Sequence, residues 1–320
     1  MPAGSQSAGP DHPGDGAGLG WVTRGGRTVA SRALGHRALQ LKETEHGKLV
    51  RDQNVDDTFR VISFYEPGGG SGVRRRDVQI PAPDGYSNGT LHVPDGDGPW
   101  PGVLVFPDAG GARETFRHMG DRLAGMGYAV LIPDIYYRAG QWAPFNAATV
   151  YTDKQERARL SSLTSVLTND RIIADASAYA DFLLARPEVR GSAIGTTGYC
   201  LGGRMSLIAA GGLGRKIAAA ASFHGGRLAV ADSPSSPHLS ADRITATVYV
   251  AGATDDDSFT TEQARLLESS LTGAGVDHTL EFYPARHGFA VPDNLTYNAQ
   301  ADARHWEALQ ELYLGCLQDF

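Results

Sequence analysis

The sequence predicts an α/β fold, with a mostly parallel central sheet and helices on both faces. Three observations predict it. From Asp77 onward, short apolar runs alternate with longer segments of helical spacing. Runs such as "GVLVF", "AVLI" and "VYVAGA" are apolar throughout rather than at every second residue. That is the pattern of strands buried on both faces. Each run leads into a loop carrying Gly, Asp or His, and ligands on such sheets bind outside the carboxyl ends of the strands.

Taken in order, the first 20 residues are rich in Gly, Pro and Asp and read as disordered. "TVASRALGHRALQLKE" reads as a helix, and "DDTFRVISFYEP" contains a strand-like run. "GGGSG" at 68–72 reads as a flexible linker. Residues 1–75 are therefore expected to be an N-terminal extension without recognisable chemistry, and residues 76–320 the functional domain. "DVQIPAP" and "GTLHVP" read as a strand pair around the turn "DG". "PGVLVFPDAGG" is a strand entering a Gly loop, and "TFRHMGDRLAGMG" a helix ending at Gly127. "YAVLIPD" is the next strand. "KQERARLSSLTSVL" and "RIIADASAYADFLLARP" are helices, the second stopped by Pro187. "SAIGTTGYC" is a strand and "LGGRMSLIAAGG" the helix after it. "IAAAASFHGG" and "TATVYVAGATDDDSF" are strands, the latter ending in an acidic loop. "TTEQARLLESSLTGAG" is a helix opened by a capping box from Thr260 to Gln263. "HTLEFYPARHGF" is a last strand with a His loop, and "YNAQADARHWEALQELYLGCL" closes the chain as a helix.

Composition narrows the function. The chain of 320 residues is 41% hydrophobic and 20% charged, with a net charge of −7. That balance argues against a non-specific nucleic-acid or anionic-membrane binder. The basic run at 74–76 reads as a solvated approach to a strand. Two cysteines make no disulfide framework, so a reducing compartment is the default. No apolar run approaches the length of a membrane span, and the N-terminus lacks the apolar core of a signal peptide. The expectation is a cytoplasmic protein, monomeric or homodimeric, acting on a small molecule. Ten histidines are scattered, with neither CxxC nor HExxH, which argues against a metal site.

Three strand ends carry reactive side chains: Cys200, then Asp255, Asp256 and Asp257, then His287. Nucleophile, acid, histidine is the chain order of an α/β-hydrolase. Gly198-Tyr199-Cys200-Leu201-Gly202 fits the G-x-S-x-G elbow with Cys in place of Ser. A turn of near-zero length strains the nucleophile's backbone and brings strand and helix so close that side chains at Gly198 and Gly202 would clash. It also places Cys200 at a helix N-terminus, where free N–H groups favour a thiolate. The N–H of Leu201 then points to where an oxyanion forms. Taken alone, a lone cysteine is more often a small packing residue, and the order of strand ends reverses that ranking. His287 stands where a hydrolase base belongs. One of the three aspartates orients its imidazole, and the spacing leaves open which. Asp108 and Ala109, in the loop at 108–111, sit where a second oxyanion N–H arises, or form an Asx turn. Tyr136, Tyr137 and Arg138 follow another strand end and would line a pocket for a planar acidic substrate.

With those residues in hand, residues from about 77 to 320 resemble the dienelactone hydrolase (carboxymethylenebutenolidase) family. The resemblance rests on "GYCLGG" at 198–203, on Asp134-Ile135-Tyr136 matching D-(I/L)-Y, and on His287-Gly288-Phe289 matching H-(G/S)-F. It implies an α/β-hydrolase fold, a Cys-His-Asp triad and no metal or organic cofactor. Asp256-Asp257-Ser258-Phe259 matches the family's D-x-S-F, which assigns the acid to Asp256 with Asp255 as the fallback. Asp108 stands where the family carries a glutamate that tunes the thiolate, on a shorter arm. The family's substrate-binding arginine after the histidine motif is replaced by Val291. The expected activity is hydrolysis of an ester or lactone of dienelactone type through an acyl-thioester. The alternatives are a general carboxylesterase and a non-catalytic α/β-hydrolase-fold binding protein. A serine-like protease fits less well, because no extra substrate domain is evident.

Overall fold

The computed structural model describes residues 72–145, 149–150 and 152–318 in full. Upstream it describes only the backbone of four short strands. Trp21–Arg24 and Arg27–Ala30 form a hairpin along the last strand of the main sheet, and Lys42–Glu43 pairs with Leu49–Val50. The helix expected over "TVASRALGHRALQLKE" is thus strand backbone at both its ends. Thr28 and Val29 are β-branched and suit a strand. The other readings made for residues 1–71 lie outside the described residues.

The main sheet is built from β1 (Val73–Ala82), β2 (Gly85–Pro94), β3 (Trp100–Phe106), β4 (Ala129–Pro133), β5 (Val189–Tyr199), β6 (Ile217–Phe223), β7 (Thr247–Asp255) and β8 (His278–Arg286). Their order across the sheet is β1-β2-β4-β3-β5-β6-β7-β8. β1 and β2 form an antiparallel hairpin, and β2 pairs antiparallel with β4. Every pairing from β4 to β8 is parallel. The arginines at 74–76 lie inside β1 rather than before it. Arg75 pairs with Glu114 at 2.9 Å and Arg76 with Glu188 at 2.7 Å on the exposed rim.

Among the described residues, six α-helices complete the layers: α1 (Glu114–Gly125), α2 (Lys154–Ser165), α3 (Asn169–Leu184), α4 (Leu201–Leu213), α5 (Thr261–Gly273) and α6 (Ala299–Cys316). Their starts follow capping chemistry. Asp153 accepts from the N–H groups of Gln155 and Glu156, Asn298 from those of Gln300 and Ala301, and Thr260 from that of Gln263. Strand side chains alternate between the faces. Leu104 and Phe106 of β3 pack in the core beneath α3, α4 and α5, whereas Val103 and Val105 pack in the core beneath α1 and α6. Among the described residues, no helix is long and apolar enough to cross a membrane.

β3 is buried on both faces, and Leu104 is fully buried. Leu104→Ala is expected to lower unfolding stability by about 2–5 kcal/mol in urea denaturation. A loss below about 1 kcal/mol would contradict this packing.

Candidate active site

Cys200 is the single residue between β5 and α4. Its backbone takes φ 54° and ψ −114°, a conformation that costs a non-glycine residue about 1–3 kcal/mol. The surroundings hold it there. Cys200 N–H donates to the Phe223 carbonyl at 3.1 Å, and the Cys200 carbonyl accepts from Gly203 N–H at 3.1 Å. The flanking glycines are steric necessities. A Cβ at Gly198 would stand 1.9 Å from the Gly202 carbonyl oxygen, and one at Gly202 would stand 2.2 Å from that of Phe106. One at Gly203 would meet the Ser222 hydroxyl at 2.6 Å.

Two neighbouring strand ends bring in the other groups. The parallel register of β7 and β8 shifts between Ala253 and Asp255, so that Asp255 pairs with Arg286. The next residue on each strand is then Asp256 and His287, which leave the sheet side by side. His287 Nδ1 donates to Asp256 Oδ2 at 2.7 Å. Asp256 Oδ1 accepts from Ser258 N–H at 2.8 Å and from the Ser258 hydroxyl at 2.6 Å. The neighbouring aspartates differ. Asp255 forms an exposed ion pair with Arg286 at 3.1 Å, and Asp257 is exposed.

Burial works to lower the His287 pKa, but the hydrogen bond to Asp256, the bond to the Cys200 sulfur and both their charges overcome it. They hold it up to about 10. Burial works to raise the Asp256 carboxyl, but the bonds from His287 and Ser258 outweigh it and keep it below the usual range. Cys200 and His287 share a cavity of about 710 Å³ with Leu201 and Ser258, walled by Leu167, Ile172 and Leu295.

Residues 88–314 match the model of the dienelactone hydrolase family. The chain belongs to that family. It is a hydrolase with an α/β-hydrolase fold. A Synechocystis sp. protein that bears the name carboxymethylenebutenolidase is 28% identical over 239 residues, spanning 74% of this chain and 94% of its own. A dienelactone hydrolase-like promiscuous phosphotriesterase from metagenomic libraries is 28% identical. Its structure superposes with a TM-score of 0.62 over 77% of this chain and 99% of its own. A dienelactone hydrolase structure from Klebsiella pneumoniae, 23% identical, shares the fold at a TM-score of 0.66 over 76% of this chain and 98% of its own.

Of the other predicted site residues of this dienelactone hydrolase family member, Leu201 and Asp108 line the cavity and the rest do not. Leu201 opens α4 beside the sulfur, and Ala109 is buried, its carbonyl accepting from the Tyr136 hydroxyl at 2.9 Å. Asp108 does form the Asx turn, accepting from Gly110 N–H at 2.8 Å. Its carboxylate is committed to Arg113, at 2.7 and 2.9 Å, rather than to tuning the thiol. Tyr137 and Arg138 are not in the cavity lining. The Tyr137 hydroxyl donates to Asp175 at 2.9 Å, and Arg138 grips the same carboxylate at 2.5 and 2.8 Å. Tyr136 is buried beneath the loop at 108–111.

The structure adds three residues. His224, at the end of β6, is fully buried with its ring 5.2 Å from that of His287. Burial first, then the charges of His287 and His305, hold it well below the usual histidine range. Arg204 and Arg227 line the cavity. The strand end "SFHGG" carries the same signal as the other strand ends and could have pointed to His224. A counterion-free arginine leaves no such mark.

His287 is raised from an ordinary value of 6.5 to about 10, so the fold gains stability from its protonation. That gain is complete below pH 6.5 and lost as the pH climbs through about 10. In an NMR titration the His287 ring is expected to titrate near 10, and nearer 6.5 in Asp256→Asn. A wild-type midpoint near 6.5 would refute the coupling.

Proposed function

We propose that the protein hydrolyses a carboxylic ester or lactone of dienelactone type, with Cys200 as nucleophile, His287 as base and acid, and Asp256 as the group orienting the imidazole. One observation carries this reading: a thiol on a strained elbow faces a histidine that is itself bonded to a buried carboxylate, in one open cavity. The Cys200 sulfur attacks the carbonyl carbon, and the oxyanion takes hydrogen bonds from Leu201 N–H and the loop at 108–111. His287 gives its proton to the departing oxygen, which leaves an acyl-thioester on Cys200. Water, deprotonated by His287, then hydrolyses the thioester and returns the thiol.

A general carboxylesterase is the second reading, and two observations favour it. The family's substrate arginine is replaced by the buried Val291, and Arg138 is bound to Asp175. We place the catalytic domain in residues 76–320. Two unpaired cysteines suit a reducing, cytoplasmic setting.

Purified protein assayed on a dienelactone and on p-nitrophenyl esters tests the proposal. Cys200→Ala and His287→Ala are each expected to lower kcat by about 10³-fold or more, and Asp256→Asn by about 10²–10⁴-fold. Asp255→Asn is expected to stay within about twofold, since its exposed ion pair is worth little. Wild-type rates in the first two variants overturn the triad. Ester hydrolysis without lactone hydrolysis selects the second reading.

A further inference from the structure

The charges around the Cys200 cavity do not balance. Asp108, the acidic residue in the lining, is already neutralised by Arg113, and Asp256 behind it by His287. Two guanidiniums in the same wall have no such partner among the described residues. Arg204 stands four residues after Cys200, one turn along α4 and on the same side of the helix. Its Nη2 donates to the Ser235 carbonyl at 2.8 Å and the Ser235 hydroxyl at 3.2 Å, both neutral acceptors. Arg227 enters from the loop after β6. Its backbone is pinned at φ 55° by its N–H bond to the Ser258 carbonyl at 2.7 Å. Left-handed backbone at a non-glycine residue persists where the surroundings impose it, and such residues cluster at ligand clamps. Among the described residues, neither guanidinium meets a carboxylate.

Arg204 is half-buried and Arg227 is exposed where they line the cavity, so both are open to an anion that enters it, and two like charges on one wall favour such an anion. Burial first, and then the charge of Arg227, hold Arg204 below its usual pKa. A planar guanidinium is suited to carboxylate and phosphate oxygens. Leu167, Ile172 and Leu295 give the wall an apolar stretch, beside the polar Thr164, Asn294 and Thr296. At about 710 Å³, the cavity has the volume of a site for a drug-sized ligand and exceeds what one small lactone ring fills.

We propose that Arg204 and Arg227 form an anion subsite that selects esters whose acyl group is an apolar chain ending in a carboxylate or phosphate. The acyl carbon bonds to Cys200 while the anion rests one helical turn away. The inference rests on the reading of this cavity as the active site, and names its substrate class.

Calorimetry on the full-length Cys200→Ala protein reads the subsite without turnover. Monomethyl adipate and its ω-phosphate analogue are the charged probes, and methyl hexanoate is the neutral one. At least one charged probe is expected to bind about tenfold or more tightly than the neutral one, the tighter of the two naming the anion. Adding Arg204→Gln or Arg227→Gln should collapse that preference, and 0.5 M NaCl should narrow it. Arg204→Lys, which keeps the charge, should retain part of it. Equal affinity for charged and neutral probes, or a preference untouched by both glutamine variants, overturns the subsite. In the wild type, p-nitrophenyl adipate monoester should exceed p-nitrophenyl hexanoate in kcat/KM, mainly through KM. Equal turnover of the two overturns the subsite while the hydrolase reading stands. Charge-dependent binding with no turnover of either ester supports the subsite and sinks the triad chemistry.

Discussion

The architecture depends on one contact distance, the approach of β5 to the first turn of α4. The carbonyl oxygen of Gly202 lies where a Cβ of Gly198 would be, with 1.9 Å between them. The Phe106 carbonyl presses on Gly202 from β3 in the same way, at 2.2 Å. Helix α4 therefore lies directly on the carboxyl ends of two adjacent strands. No side chain separates them, so Cys200 has no room to relax into an ordinary turn. Its strained φ is imposed by packing from below rather than by its own preference.

The elbow is also held from the opposite face. The Tyr199 hydroxyl donates to His305 Nε2 at 2.8 Å, and His305 Nδ1 donates to Asp302 at 3.1 Å. That chain ties the end of β5 to α6 across the core. Asp256 and His287 depend on a separate device, the register shift between β7 and β8. Without it the two strand ends would be offset by a residue, and Asp256 would miss the imidazole it now meets at 2.7 Å. Cys200 and His287 are thus positioned independently, one by steric closeness and the other by strand register.

These two devices explain what was legible in the sequence. Steric necessity writes glycine, so the elbow at 198–203 could be read from letters alone. Strand ends are marked by a change from apolar to polar residues, which led to His287 and to the three aspartates at 255–257, and the family's D-x-S-F pattern chose Asp256 among them. Partnerships across the fold are not written locally. Tyr137 and Arg138 look like pocket residues until Asp175, 37 and 38 positions away on α3, claims both. Asp108 likewise looks free until Arg113 takes its carboxylate. Arg204 and Arg227 stand out because neither meets a carboxylate among the described residues, and an absence in space has no signature in sequence.

His224 and His287 show how far environment outweighs residue type. Their rings lie 5.2 Å apart, yet they are driven to opposite protonation states. His287 has an anionic acceptor behind it and a sulfur in front, and it keeps its proton to about pH 10. His224 is fully buried, neither ring nitrogen has a partner, and the nearest charge is His287 itself. A cation there would be both desolvated and repelled, so His224 stays neutral. With His224 uncharged, no positive charge on that ring opposes the protonated imidazole that Asp256 and the Cys200 sulfur hold.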